Sequence, residues 1–385
     1  MDKVVYIALQ LLGIKNNTLI DIINLIPNKE VKKFFEKDLM EIQYKYNIDI
    51  SSYMMLFKDS QIIKKNMKKA EHILEINKKL KIKTILINSK FYPTNLKKIN
   101  NPPAILYIKG GNIKKQDEKS IACVGTRNPT IFGKKAVNSI VSSLAKESFT
   151  IISGLAYGID AEAHKTCLTA KGRTIAVLAH GLDMIYPKEN MKLAEEILNS
   201  GGILVSEYPV ETKPEKFRFV DRNKIISGLS KGTIVFETKE KSGTMHTVNY
   251  TLKQDKKVFC PIPLRYELET AGLIKLLKEN KAIGIRTKDN YDLVVKELGY
   301  KIVNDKNKIS QIKSESIDNI INNFDIRLEH LNNLKNKEFD GRGSFGINKN
   351  VYSTFKDILK ENNLTVKEFF NGIIFSIVDN YKKGE

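Results

Sequence analysis

The middle of the chain alternates between short apolar runs and longer amphipathic segments. Six runs have the length and continuous hydrophobicity of strands buried on both faces: IACVG (121–125), FTIIS (149–153), TIAVLA (174–179), ILVSE (203–207), GTIVFE (232–237) and KVFCPI (257–262). Most segments between them carry apolar residues at three- and four-residue steps, which is typical of helices. Strands joined by helical crossovers form parallel sheets covered on both faces. The pattern therefore predicts an α/β, doubly wound parallel sheet over residues 84–300.

The chain on either side of this region follows other patterns. Residues 1–83 have helical spacing throughout, which predicts a small all-α domain without residues that suggest chemistry. Residues 301–340 are rich in Asn, Lys, Ser and Asp and predict a partly helical linker. Residues 341–385 have the pattern of a strand, a helix, a short turn and a second helix.

The formal net charge of +20 points first to nucleic acid as a partner. The chain is also rich in Lys, Asn and Ile throughout, and an AT-rich genome produces that bias without any functional demand. Arginine is more informative, because only eight of the 64 basic residues are Arg and three of these are Arg127, Arg218 and Arg222. The planar guanidinium binds phosphate with two hydrogen bonds and stacks on bases, which lysine cannot do.

Cysteine and targeting signals exclude several classes of protein. Cys123, Cys167 and Cys260 are far apart and lack metal-ligand spacing, so we expect buried thiols, no metal site and no bound cofactor. No run of 18 apolar residues suggests a membrane span, and the amino terminus lacks the basic region and cleavage site of a signal peptide. A cytoplasmic protein with no membrane partner is expected.

The predicted sheet is Rossmann-like, and such sheets bind ligands at the carboxyl ends of their strands. Four segments should meet there: residues 124–130, 153–164, 217–232 and 240–247. In the second, SGLAYGIDAEAH, we expect Asp160 to cap the following helix, whose free N–H groups favour an anion. The candidate contacts are glycines, hydroxyls, cations and one aromatic ring: Gly125, Thr126, Arg127, Ser153, Gly154, Gly158, Phe219, Arg222, Asn223, Lys224, Ser242, Gly243 and Thr244.

Each of these signals is weak by itself. A glycine turn after a strand is more often only a tight turn, Arg127 can pair with an acidic side chain, and Phe219 can belong to the core. Four such turns along one edge are much less consistent with a purely structural role for all of them. Together they predict a basic groove lined by amides, with an aromatic side chain at hand, which is what single-stranded nucleic acid needs.

The histidines and carboxylates do not form a recognisable catalytic set. His164, His180 and His246 are candidates for acid–base work, and Asp183 and Glu207 are candidate bases. A buried, hydrogen-bonded His164 is the more common outcome at its position in a helix. No Ser–His–Asp order, no HExxH motif and no paired metal-ligand spacing appears, so we expect binding without catalysis.

The central motifs resemble the DprA/Smf family of DNA-processing proteins. They are, in chain order, VGTR, SGLAYGIDAEAH, GRTIAVLAHGLDMIYPKEN, GGILVSEYPVETKP, FRFVDRNKIISGLSKG and SGTMHT, followed by KKVF. The resemblance covers residues 84–300 and implies an extended Rossmann fold, cooperative binding of single-stranded DNA, homodimers and delivery of the strand to a RecA-type recombinase. The DNA contacts it implies are Arg127, the Ser153–Gly154 loop, Arg222, Asn223, Lys224 and the Ser242–Thr244 loop.

The chain departs from that family's pattern at several positions. FPxRNR is FVDRNK here, with Val220 for proline and Lys224 for arginine, so the cation remains but the planar fork is lost. SGSLxTA is SGTMHTV, which places His246 and Val248 where smaller or aliphatic residues are usual.

The carboxyl-terminal segment resembles ribbon-helix-helix domains. A single strand of this kind is stable only when it pairs with its copy in a second subunit, and the paired ribbon enters a duplex major groove. The resemblance implies base contacts by Ser344, Gly346 and Asn348 and phosphate contacts near Thr365 and Val366. The alternative is a dimerisation hairpin without DNA contacts.

Two further readings of the whole chain remain open. Rossmann folds of this kind include nucleotide sensors and nucleotide hydrolases, but KSGTMHTVN lacks the glutamate of the hydrolases' PGGxGTxxE pattern. A DNA-binding regulator, or a protein of plasmid, phage or anti-phage defence function, is the other alternative.

Overall fold

The computed structural model describes residues 3–31, 34–36, 38–263, 267–286 and 291–302. The predicted linker beyond residue 302 and the ribbon-helix-helix-like segment at 341–385 lie outside the described residues. None of the described helices is long and apolar enough to cross a membrane.

The amino-terminal part of the described chain is helical, as predicted. Its helices are α1 (Lys3–Leu11), α2 (Asn16–Leu25), α3 (Asn28–Val31), α4 (Leu39–Tyr46), α5 (Met54–Lys58) and α6 (Ser60–Lys79), with 3₁₀ turns at Phe34–Glu36 and Ser51–Tyr53. Helix α6 begins at Ser60 because the carboxylate of Asp59 accepts from the N–H groups of Gln61 and Ile62, at 2.9 and 3.0 Å. The apolar side chains of these helices share one continuous core with the sheet that follows.

The described residues form one nine-stranded sheet in the order β1-β2-β6-β5-β4-β3-β7-β8-β9. The strands are β1 (Ile82–Leu86), β2 (Ile105–Gly110), β3 (Ser120–Val124), β4 (Thr150–Ser153), β5 (Thr174–Leu178), β6 (Ile203–Ser206), β7 (Gly232–Val235), β8 (Lys257–Pro261) and β9 (Ile283–Ile285). From β6 to β9 every pair is parallel, whereas β2 is antiparallel to β6 and β1 to β2. This confirms the predicted Rossmann-like sheet.

Three of the strands were absent from the prediction. The six predicted apolar runs correspond to β3–β8. In β1, by contrast, buried positions alternate with more exposed ones, which is the pattern of an antiparallel edge strand and not of a continuous apolar run. Strand β2 is the other antiparallel strand, and β9 has only three residues.

Helices cover both faces of the parallel part of the sheet. They are α7 (Thr94–Lys97), α8 (Ile131–Lys146), α9 (Ile159–Thr169), α10 (Met191–Asn199), α11 (Lys216–Leu229), α12 (Thr244–Lys253), α13 (Ala271–Lys278) and α14 (Tyr291–Glu297), with 3₁₀ turns at Lys115–Glu118 and Lys188–Asn190. Alternate residues of one strand serve opposite faces. Ile121 and Cys123 of β3 pack in the core under α8, α9 and α14, while Ala122 and Val124 pack in the core under α11 and α12.

A buried ion pair joins the amino ends of neighbouring strands. Asp117 lies just before β3 and Arg173 just before β5; their side chains are 5% and 8% exposed and form two hydrogen bonds of 2.6 and 2.9 Å. Thr150 of β4 also donates to the Asp117 carboxylate, at 2.9 Å, and Arg173 donates to the carbonyl of Gly201 near β6. The four strand starts are therefore held in register at the edge opposite the predicted binding site.

We expect Asp117→Ala to lower the free energy of unfolding by about 3–5 kcal/mol, because Arg173 would stay buried without its partner. Urea denaturation measures this change. Glu279→Ala is the matched control, since Glu279 pairs with Lys281 at 2.7 Å on the surface and such pairs contribute about 0–1 kcal/mol. Equal losses in the two variants would contradict the structural role of the buried pair.

Candidate nucleic-acid interface

The candidate site lies where the order of the strands reverses. The chain winds outward from β3 in one direction through β4, β5 and β6, and in the other through β7, β8 and β9, so β3 and β7 are neighbours at the switch point. Doubly wound sheets bind ligands in the crevice that opens there, at the carboxyl ends of the strands. The loops after β3, β4 and β7 meet at this edge, as the sequence predicted.

The three loops are held together by backbone contacts. The N–H of Thr126 donates to the carbonyl of Glu237 at 2.7 Å, and the carbonyl of Thr126 accepts from the N–H of Ile159 at 3.1 Å. The hydroxyl of Thr244 donates to the carbonyl of Gly125 at 3.0 Å. The loop that carries Arg127 is thus fixed from both sides.

The glycines of these loops permit close packing of one loop on another. Gly158 has a φ of +75°, and a Cβ at this position would lie 2.4 Å from the carbonyl oxygen of Thr126. A Cβ at Gly125 would lie 2.6 Å from the side chain of Ile159. Both distances are far below van der Waals contact, so these two positions require glycine for the fold itself.

The amino terminus of α8 already holds an anion, the carboxylate of Glu237. This side chain is 3% exposed and accepts from the N–H of Thr130 at 2.8 Å and from its hydroxyl at 2.5 Å. A Cβ at Gly133 would lie 2.3 Å from the same carboxylate. Helix amino termini favour negative charge, and here the protein supplies it. No role for Glu237 was predicted from the sequence.

The third predicted segment was counted among the turns at this edge, and this was wrong, because residues 217–229 lie in a helix. Phe219, Arg222, Asn223 and Lys224 all lie within α11. The usual amphipathic stripe is obscured there, because Arg222 is buried while Phe219 is only half-buried. Residues three and four apart are neighbours on a helix, which brings Phe219 beside Arg222 and Asn223.

Arg222 is the central buried cation of the site. It is 4% exposed, and its Nη1 donates to the carbonyl of Gly154 at 2.8 Å and to the carbonyl of Val177. A Cβ at Gly154 would lie 2.6 Å from Nη1, so glycine makes room for the guanidinium. Burial lowers the pKa of Arg222 to about 10, and the negative charge of Asp160 opposes this shift. Arg222 therefore joins α11 to the ends of β4 and β5 beneath the surface.

The second predicted segment is also largely internal. Ser153 is fully buried, and its hydroxyl donates to the carbonyl of Cys123 at 2.6 Å. The expected capping role of Asp160 was wrong: Gly158 is the N-cap residue of α9, and Asp160 lies inside the helix. Its carboxylate accepts from the N–H of Gly154 at 3.1 Å, which holds the loop against the helix.

Arg127, Tyr186 and the half-buried Phe219 form a surface group of one cation and two aromatic rings, here called the Arg127 cluster. The guanidinium of Arg127 lies 6.0 Å from the centre of the Phe219 ring, and the rings of Phe219 and Tyr186 are 5.7 Å apart. Arg127 is exposed and has no acidic partner among the described residues. Tyr186 is 47% exposed. It lies in the motif GLDMIYPKEN, but the sequence analysis did not select it.

The remaining predicted contacts lie beside this cluster. The side-chain amide of Asn223 approaches the carbonyl of Gly243 at 3.5 Å, and Ser242 shares a 2.6 Å hydrogen bond with Thr238. Lys224 pairs with the largely buried Glu207 at 3.1 Å. Burial raises the pKa of Glu207, and Lys224 opposes that shift. The charge of Lys224 is thus partly neutralised within the protein.

The two buried histidines make structural hydrogen bonds. Nδ1 of His164 lies 2.7 Å from the hydroxyl of Thr174, and Nδ1 of His180 lies 2.9 Å from the carbonyl of Gly181. Burial, together with the nearby charge of Arg222, lowers the pKa of His164 to about 3, so it stays neutral at physiological pH. Burial also lowers the pKa of His180. In the described part of the chain, no group of three or more His, Cys, Asp or Glu side chains is placed to hold a metal ion.

Two proteins with similar sequences match only part of this chain. The chain is 44% identical over 216 residues to the DNA processing protein DprA of Bacillus subtilis, a match that spans 56% of this chain and 72% of that protein. It is 40% identical over 172 residues to the Smf protein of Escherichia coli K12, spanning 45% of this chain but only 46% of that protein.

Two solved structures share the fold. The X-ray structure of DprA from Streptococcus pneumoniae matches with a TM-score of 0.59 at 26% identity, over 74% of this chain and 94% of that one. A structure that describes the single-stranded DNA binding mode of DNA processing protein A from Helicobacter pylori matches with a TM-score of 0.51 at 30% identity, over 57% of this chain and 97% of that one. The family model described as DNA recombination-mediator protein A matches residues 83–295, more than half of the chain. The chain therefore belongs to the DNA recombination-mediator protein A family, also known as DprA or Smf.

Proposed function

We propose that this protein binds single-stranded DNA along the carboxyl edge of its sheet, without chemical change to the DNA. The observation that carries the proposal is the Arg127 cluster, in which an exposed guanidinium lies beside two aromatic rings and has no acidic partner in the part of the chain that the structure describes. Cationic grooves with aromatic rings bind single strands because every phosphate is charged and every base can stack. The Helicobacter pylori relative, whose structure describes a single-stranded DNA binding mode, supports it.

Arg127 and Arg222 have different roles in the proposed binding of DNA. Arg127 is free to form charge-assisted, bidentate hydrogen bonds with a phosphate, while an unpaired base stacks on the rings of Phe219 and Tyr186. The buried guanidinium of Arg222 lies 5.9 Å from the centre of the Phe219 ring and contributes positive charge, with its hydrogen bonds already made to Gly154 and Val177. Its part is to position α11 and the ring of Phe219.

The wider role in the proposal follows from family membership. A recombination mediator would deliver the bound strand to a RecA-type recombinase, and it would act as a homodimer or larger homo-oligomer. The ribbon-helix-helix-like tail would add duplex binding through Ser344, Gly346 and Asn348, or dimerisation alone. The choice between a mediator of DNA uptake and a regulator or defence protein depends on what that tail binds.

The alternative of a nucleotide sensor or hydrolase has a specific observation against it. At the switch point, where a doubly wound sheet would hold a phosphate, Thr130 at the start of α8 already donates two hydrogen bonds to the carboxylate of Glu237. A phosphate in that position would face a buried negative charge at close range. Incubation with nucleoside monophosphates, followed by a search for released base, tests this alternative.

We expect Arg127→Ala to weaken oligo-dT binding by about 1–3 kcal/mol, roughly 5- to 150-fold, because a charge-assisted hydrogen bond to phosphate is lost. Arg127→Lys restores the charge without the planar fork and should recover part of the affinity. Fluorescence anisotropy at fixed salt measures both. The control is Lys146→Ala, an exposed cation at the end of α8 on the opposite edge of the sheet. Unchanged affinity in Arg127→Ala would exclude the Arg127 cluster as the DNA site.

For Arg222→Ala, the first expected effect is on stability. The substitution leaves Asp160 buried without its neighbouring cation and two carbonyls without their donor, so the free energy of unfolding should fall by about 3–5 kcal/mol. Thermal or urea unfolding measures this fall. Arg127→Ala, at an exposed position, should unfold as the wild type does. If Arg222→Ala weakened DNA binding while its stability stayed at the wild-type value, Arg222 would be a direct DNA contact instead.

Removal of the tail separates its two proposed roles. We expect the full chain to shift both single-stranded and duplex DNA in a native gel, and a version ending at Tyr300 to shift only the single strand. If the version ending at Tyr300 still bound duplex DNA, the sheet would be responsible for that binding. This result would contradict the proposed base contacts of the tail.

A further inference from the structure

A second basic cavity opens beside the Arg127 cluster, between the starts of α8 and α9. It has a volume of about 510 Å³, within the range of small-ligand sites. The lining residues that matter for its chemistry are Arg127, Asn128, Lys134, Tyr157, Glu162 and Lys165. We call it the α8–α9 cavity.

The α8–α9 cavity carries a net positive charge. Arg127, Lys134 and Lys165 contribute three cations, and Glu162 is the one carboxylate among the lining residues, which leaves +2. Lys134 and Lys165 are exposed, and neither forms an ion pair with any residue that the structure describes. Two lysines whose charge is not neutralised within the protein are available to a polyanion.

An aromatic ring, that of Tyr157, also lines the α8–α9 cavity. Tyr157 is 42% exposed, and its hydroxyl donates to the carboxylate of Glu189, which restrains one end of the side chain. The loop that carries Tyr157 is held from below, because the amide of Asn190 donates to the carbonyls of Leu155 and Ala156 at 2.9 and 3.3 Å. A restrained, exposed ring loses little conformational freedom when a base stacks on it.

Arg127 connects the two places, since it belongs to the Arg127 cluster and also lines the α8–α9 cavity. We propose that the α8–α9 cavity is a second subsite for the same DNA strand, where Lys134 and Lys165 bind phosphates and a base stacks on Tyr157. This inference rests on the proposed function and adds a direction to it: the strand continues from Phe219 past Arg127 towards the start of α9. A free nucleoside monophosphate offers the same phosphate chemistry, so the test must separate the two sources.

The test compares a double variant with a charge-matched control in the full-length protein. Lys134→Gln with Lys165→Gln removes the two free cations. Lys146→Gln with Lys253→Gln makes the same change in charge at the last residues of α8 and α12, at the opposite edge of the sheet. Binding of oligo-dT of about 6 and about 16 nucleotides, both within the about 4–16 nucleotides that one single-strand-binding OB fold covers, is measured over a series of salt concentrations.

The expected result is a loss confined to the longer oligonucleotide. Each phosphate contact on a single strand contributes about 0.7 to the slope of log K against log salt, so two lost contacts should lower that slope by about 1.4. The short oligonucleotide, held at the Arg127 cluster, should bind as before, and the control pair should match the wild type. An unchanged slope with the long oligonucleotide in the double variant would overturn the proposal.

A second pair of variants tests the ring. Tyr157→Phe keeps the ring and loses only the bond to Glu189, so it should retain long-oligonucleotide binding. Tyr157→Ala should weaken that binding roughly 5- to 150-fold, the range for one stacked base. If Tyr157→Ala and Tyr157→Phe bound the long oligonucleotide equally well, the proposed stacking of a base on Tyr157 would be wrong.

Two further outcomes are distinguishable from these. Binding of dTMP to the wild type that is lost in the lysine double variant, with no effect of oligonucleotide length, would assign the cavity to a free nucleotide and overturn the DNA subsite. Failure of the wild type to bind either oligonucleotide would instead reject the proposed function itself.

Discussion

The buried guanidinium of Arg222 is the interaction on which the geometry of the edge depends. One side chain of α11 donates to the carbonyl of Gly154 after β4 and to that of Val177 in β5, beside the buried carboxylate of Asp160. Because these acceptors belong to different strands, the position of the helix is fixed relative to the sheet. The half-buried ring of Phe219, one turn earlier on α11, is therefore held where Arg127 can reach it. A charge in the interior thus positions the contacts on the surface.

Two charges of opposite sign define what the edge can bind. Glu237 neutralises the start of α8 from within, so the place where doubly wound sheets hold a pyrophosphate is filled by the protein. The exposed guanidinium of Arg127 lies further out, beside the aromatic rings of Phe219 and Tyr186. An edge of this kind does not enclose one small anion; it presents separated charges and rings to an extended one. Single-stranded DNA has that form, because its phosphates repeat along a flexible chain and its bases are free to stack.

Sequence patterns predicted much of the scaffold and less of the site. The runs that became β3–β8 were identified because strands buried on both faces must be continuously apolar. The antiparallel strand β1 was missed because its burial alternates. The first half of α11 was counted as a turn because its arginine is buried and its phenylalanine is partly exposed. Asp160 has the side chain of a helix cap, yet it lies inside α9 and binds the loop before it. For α11 a long-range partner outweighed the local preference, because Arg222 donates to the carbonyl of Gly154, 68 residues away.

The sequence by itself determined the parallel sheet, the turns that meet at its carboxyl edge and the family to which the chain belongs. Those properties follow from periodicity, from glycine spacing and from motif order, all of which are local in the chain. Only the tertiary structure decided which polar residues face solvent. Ser153, Gly154 and Arg222 went into the interior, Glu237 took the anion position of α8, and Tyr186 and Tyr157 joined the surface. The physical reason is that the exposure of these polar groups depends on partners 30 or more residues away along the chain, such as Cys123 for Ser153 and Thr130 for Glu237. A local sequence pattern does not show which distant residues will become neighbours.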